Sequence, residues 1–169
     1  MWDLMPDSKK RLTRVQSAFG RPEGQTLVEF ALVTVLFLML LFGITEFSRA
    51  LWTWNAIVHA TREGARYAVV EAPTSTDTEV IKYVVYHDSA GTASSAPVVP
   101  GLSESNVTVT YLKYDGTTVG STVSAKTGAD VIQVRIVGYT FNFLVPFFGS
   151  GLTLPAFTTT LPLEGLGAS

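Results

Sequence analysis

RPEGQTLVEFALVTVLFLMLLFGITEF, residues 21–47, decides the architecture. From Phe30 to Ile44 every residue except Thr34 and Gly43 is alanine or a large apolar residue. Leu27 and Val28 extend the run upstream past a lone carboxylate, Glu29. Leu27, Val28, Leu32, Leu36, Phe37, Leu40, Leu41 and Ile44 are spread around every side of a helix. About 20 such residues cross a hydrocarbon core ~30 Å thick, so a membrane helix is expected over about 27–44.

The rest of the chain is different in kind. With 169 residues, 47% apolar and 15% charged, and a mean hydropathy of +0.30, the length suits one polar domain plus an anchor. The first 24 residues hold five basic side chains (Lys9, Lys10, Arg11, Arg14, Arg21) against three acidic ones, a net +2, while the remainder carries −4. Basic flanks stay on the cytoplasmic side, which puts the N-terminus inside and the domain outside. No basic stripe suited to nucleic acid is present. The absence of cysteine excludes disulfides and thiol chemistry.

Glu29 divides the readings of this segment. A cleaved secretory signal needs a small-x-small site after a shorter apolar stretch, whereas here Thr45-Glu46-Phe47-Ser48-Arg49 follows. A plain, uncleaved anchor explains length and orientation but leaves the acid as a snorkelling side chain, in a location where a charge at mid-bilayer costs on the order of 3 kcal/mol. The third reading is proteolytic. A cut after Gly24 makes Gln25 the new N-terminus and Glu29 the fifth mature residue, followed by Phe30 and the apolar run.

In that arrangement the chain resembles the type IV pilins and pseudopilins. The resemblance implies a cytoplasmic leader over 1–24, a prepilin peptidase acting between Gly24 and Gln25, and an acid at Glu29 that meets the new amine of a neighbouring subunit. An unpaired charge in lipid is costly and a paired one much less so, which would favour docking in register.

Beyond Ile44 the pattern turns amphipathic, with no proline until Pro73. Residues 25–70 are therefore expected to form one helix roughly 70 Å long at ~1.5 Å per residue. Ala56, Ala60, Gly64 and Ala68 recur every fourth position as a ridge of small side chains. Packing within the chain is the plainer use of such a ridge, and a contact with another subunit is the alternative. Arg62 and Arg66 flank Glu63 on what reads as a solvated face.

Here the resemblance narrows. Gly24-x4-Glu29-Phe30-Ala31, Phe42-Gly43-Ile44-x-Glu46-Phe47 and Ala60-Thr61-Arg62-Glu63-Gly64-Ala65-Arg66-Tyr67-Ala68 are similar to the TadE-like minor pseudopilins of tight-adherence (Flp, type IVc) pili. It covers Gly24 to about Pro73, and one departure is Val33-Thr34-Val35 where many members carry proline. It implies a single-pass protein of a bacterial inner membrane, carried into an extracellular pilus on assembly and serving surface adhesion. The partners implied are other pilins, a prepilin peptidase, the inner-membrane assembly platform and membrane lipid.

The domain over 71–169 is expected to be α+β. Thr76-Asp77-Thr78-Glu79 fits a capping box before a short helix, EVIKYVVYHDSA, although its β-branched residues leave a strand open. SAGTASSAPVVPGLSES is a loop. Val107, Val109 and Tyr111 alternate with Thr108, Thr110 and Leu112 before Asp115-Gly116 and TTVGSTVS, a hairpin pattern. Ile132, Val134 and Ile136 mark a further strand, and LTLPAFTTTLPL a last one with proline at its edges. Between Phe141 and Phe148 lie four phenylalanines, read first as a core plug and otherwise as a patch for membrane or pilin. The expected whole is a long helix against a three- or four-stranded antiparallel sheet with one short extra helix.

The chemical inventory is thin. His59 and His87 are isolated, no pair sits at metal spacing, and neither a nucleophile elbow nor a phosphate loop is present. Asn106-Val107-Thr108 is a glycosylation triplet of the kind that arises by chance. The chain is therefore expected to be neither an enzyme nor a carrier of a cofactor or metal.

Overall fold

The computed structural model describes residues 22–70, 77–92 and 94–163. Most of the leader, the Pro73 stop signal and Thr76 lie outside them. Helix α1 runs Pro22–Val70 and α2 runs Thr78–Tyr86. Strands β1 (Val107–Leu112), β2 (Thr118–Gly120), β3 (Val131–Ile136) and β6 (Phe157–Pro162) form one antiparallel sheet in the order β2-β1-β3-β6. Strands β4 (Thr140–Phe141) and β5 (Leu152–Thr153) make a separate two-stranded ribbon. The fold is α+β, with a long apolar N-terminal helix, one short helix and a four-stranded sheet.

The chain divides into two units between Thr45 and Glu46. The first holds the start of α1, where the large apolar side chains from Leu27 to Ile44 are exposed. A helix apolar on all sides and buried against nothing matches a membrane span rather than a soluble core. By length and composition α1 is able to cross a membrane.

The second unit has its own core. Along α1, Thr53, Ile57, Ala60, Thr61, Gly64, Ala65 and Ala68 are buried, at the three- and four-residue steps of one helix face. Ala56 is only half buried, so the buried stripe is shifted and wider than the ridge read from the sequence. The sheet offers the matching face: Val107, Val109 and Tyr111 stand opposite Ile136, Val134 and Ile132 in register. On the other side of β3, Ile136 pairs with Phe157 and Val134 with Thr159. The period-2 alternation of β1 and β3 is what makes these six side chains share one side.

Specific contacts tie α1 to the rest of this unit. Trp54 meets Phe157 edge to face at 4.7 Å, and the Thr159 hydroxyl donates to the Thr61 hydroxyl at 3.1 Å. Lys126 Nζ donates to the Ala68 carbonyl at 3.1 Å, placing a cation on the orphan carbonyls of the last helical turn.

Several local expectations need correction. The residue preceding α2 is Asp77, and its side chain caps nothing in the helix. Its Oδ1 instead accepts the Tyr111 hydroxyl at 3.0 Å, so the carboxylate is committed to the sheet, while the expected Thr76–Glu79 capping box lies partly outside the described residues. The hairpin turns at Asp115-Gly116, with Gly116 at φ 85, but β2 ends at Gly120 and a 3-10 turn takes over at Val123–Gly128. The single last strand read from LTLPAFTTTLPL is two, β5 and β6, with Pro155 between them. Proline has no N–H to give to a ladder, which explains the break there and the position of Pro162 on an edge strand. Finally, the described part of α1 already includes Pro22, three residues before Gln25.

Candidate processing and assembly site

Gly24 and Gln25 lie in the first turn of α1, and a methyl group built on Gly24 would meet nothing within 4 Å. Both residues are exposed among the described residues, and the bond between them is helical rather than extended. Glu29 follows Gln25 by four residues, so both side chains face the same way on the helix. Glu29 and Phe30 are exposed, and among the described residues nothing pairs with the carboxylate. Leu32, Leu36, Phe37, Leu40 and Leu41 continue that apolar exposure down the first unit.

The second cluster, Ala60 to Tyr67, is divided by the helix into two faces. Ala60, Gly64 and Ala65 are buried, whereas Arg62, Glu63 and Arg66 are exposed. Gly64 has a definite steric reason: a Cβ there would stand 2.1 Å from Val84 Cγ2 of α2. The small ridge is thus where α2 closes on α1. Tyr67 stacks on Tyr83 with ring centres 4.3 Å apart, and Tyr83 on His87 at 5.9 Å. Along α1 the cluster lies more than thirty residues after the processing segment.

One residue given no role by sequence reasoning organises a third place. Glu46 is 5% exposed. Its Oε1 accepts the backbone N–H groups of Leu144 and Val145 at 2.8 and 3.0 Å, and its Oε2 accepts from Arg49 at 2.6 Å. Arg49 in turn lies 5.1 Å over the Phe141 ring. A glutamate closing an apolar run was the available signal, but its partners sit almost a hundred positions away and leave no local trace.

The phenylalanine cluster is not one plug. Phe141 is 2% exposed and belongs to the core, and Phe143 packs against it, but Leu144 and Phe147 are 75% and 69% exposed. The hydroxyl of Tyr111 is pushed well above the usual tyrosine range, first by burial and then by the neighbouring Asp77 charge. Burial likewise raises Asp77, against the opposing effect of the Tyr111 hydrogen bond. Asn106 spends its amide within the fold, donating to the Val137 carbonyl at 3.0 Å and accepting from Ser103 N–H at 3.1 Å. Among the described residues no group of three or more His, Asp or Glu is placed to hold a metal ion.

A family model described as TadE-like protein matches residues 24–66, a span that holds both the processing segment and most of the buried face of α1. No curated protein and no solved structure matches the chain significantly. From the glycine of the candidate cut to the second arginine of the Arg62–Arg66 pair, the chain is similar to TadE-like proteins.

Proposed function

We propose that the protein is a minor pilin or pseudopilin of a tight-adherence pilus, cut after Gly24 and drawn into the filament by Glu29 and the apolar helix. The observation that carries this reading is the TadE-like match beginning at Gly24 itself, with an exposed acid five residues on and an exposed apolar helix behind it. Cleavage on the cytoplasmic side leaves a cationic amine at Gln25. In lipid, the carboxylate of one subunit and the amine of the next are each costly alone and far less so together, so the pair selects one axial register. The protein is then the substrate of a peptidase and a building block, not a catalyst. Its anchor spans the inner membrane with the N-terminus inside, as the basic leader favours.

Glu29→Ala tests this. The variant is expected to insert and to be cleaved as wild type, but to be missing from sheared pili. Incorporation at wild-type level would overturn the proposal.

A further inference from the structure

The loop at 144–148 has features that the pilin reading does not use. Leu144, Phe147 and Phe148 are 75%, 69% and 36% exposed, three large apolar side chains within five residues. The loop is built, not loose. A 3-10 turn at Pro146–Phe148 closes with Phe148 N–H on the Val145 carbonyl at 3.1 Å. Phe147 meets Phe148 at 5.7 Å, Phe148 meets Phe143 at 6.3 Å, and Phe143 meets the buried Phe141 at 5.5 Å, so a chain of rings links the exposed tip to the core.

Its place in the fold is fixed by Glu46. Both backbone bonds to Oε1 hold Leu144 and Val145 beside that helical position. Glu46 follows Ile44, the end of the apolar run, by two residues, about 3 Å of helix. The headgroup layer on each side of a bilayer is roughly 5–7 Å deep, so Glu46, two residues past the run, falls within it once the run fills the hydrocarbon. The composition fits: no charged residue occurs from Ile136 through Leu163. Phe47 and Trp52, also exposed on α1, supply the aromatic residues typical of an interface.

We infer that residues 144–148 form a second membrane contact, a rigid apolar foot whose Leu144, Phe147 and Phe148 enter the outer headgroup region. The foot rests on the reading of residues 27–44 as a membrane span. It gives the domain two points of attachment to the bilayer before assembly, and extraction into a filament has to lift the foot from lipid.

The chain has no cysteine, so single nitroxide labels can be placed on the full-length protein in phosphatidylglycerol–phosphatidylethanolamine vesicles. Labels at Phe147→Cys, at Leu144→Cys, at Val35→Cys within the run and at Thr118→Cys on β2 are compared for collision with oxygen and with a water-soluble nickel chelate. The expected result is oxygen-favoured collision at 147 and 144, shallower than at 35, with the chelate favoured at 118. A chelate-favoured signal at 147 and 144 alongside a lipid signal at 35 overturns the foot and leaves the anchor standing. Shielding of 147 and 144 from both reagents overturns it in favour of contact with another protein. An aqueous signal at 35 removes the anchor and the foot together.

Discussion

Glu46 shows how much one side chain can organise at the point where the chain passes from its apolar run to its domain. A buried carboxylate needs its lone pairs filled, and here two backbone N–H groups and a guanidinium fill them. Glu46→Ala should leave Leu144 N–H, Val145 N–H and Arg49 without their acceptor and cost about 3 kcal/mol, measured by denaturation followed through tryptophan fluorescence. Glu46→Gln retains the oxygen that both N–H groups use and should lose about half as much. Equal losses for the two variants would mean that Arg49, not the loop, is the partner that matters. Gly64 acts through volume instead. Alanine would add up to ~1 kcal/mol of helix propensity, but its methyl has to displace Val84, so Gly64→Ala should be destabilising by about 1–3 kcal/mol. If sterics are the cause, Val84→Ala in the same chain should recover part of that loss, a non-additivity read from a double-mutant cycle.

Among the elements, the buried bond between Tyr111 of β1 and Asp77 at the head of α2 makes stability depend on pH. Unfolded, a tyrosine ionises near 10.0, while in the fold Tyr111 keeps its proton to higher pH. Above about pH 10 the unfolded chain therefore releases a proton that the folded one retains, and stability falls as pH rises. Tyr139, also raised by burial, contributes to the same slope. Tyr111→Phe should cost about 1–3 kcal/mol at neutral pH and flatten the alkaline fall, which denaturation midpoints between pH 8 and 11 would report. An unchanged alkaline slope in Tyr111→Phe would assign the dependence elsewhere.

The elements also show where a sequence can be read. β1 and β3 were legible because each has one buried and one wetter face, so their alternation is written residue by residue. α1 was legible from its length and from the absence of proline. What escaped was long-range: nothing local marks Asp77 as the partner of Tyr111, and TTVGSTVS looks like a whole strand until Gly120 is seen pressed toward Ala125. Phe141 and Phe147 belong to one sequence cluster, yet one is core and the other is surface. At the candidate site, Gly24 and Glu29 were singled out through the resemblance to pilins, and Glu46 drew notice only as part of a family pattern. Its hydrogen bonds depend on a loop that no local rule could place.

For the whole molecule, the two units are built on different principles. Residues 46–163 bury an ordinary core between a helix face and a sheet, and the start of α1 buries nothing of itself. An apolar helix of that kind needs lipid or the helices of other subunits around it. On the proposed function, one acid near its beginning decides whether the subunit rests as a single anchored protein or is drawn into a filament. That decision requires a partner charge, and the partner exists only if the chain is cut.

Sequencing the N-terminus of the protein isolated from its native envelope, with its intact mass, reads this directly. The expected mature chain begins at Gln25, and it should revert to the full-length form when the prepilin peptidase is deleted. A protein that still begins at Met1 while pili assemble normally would contradict the account and leave an uncleaved, membrane-tethered domain in its place.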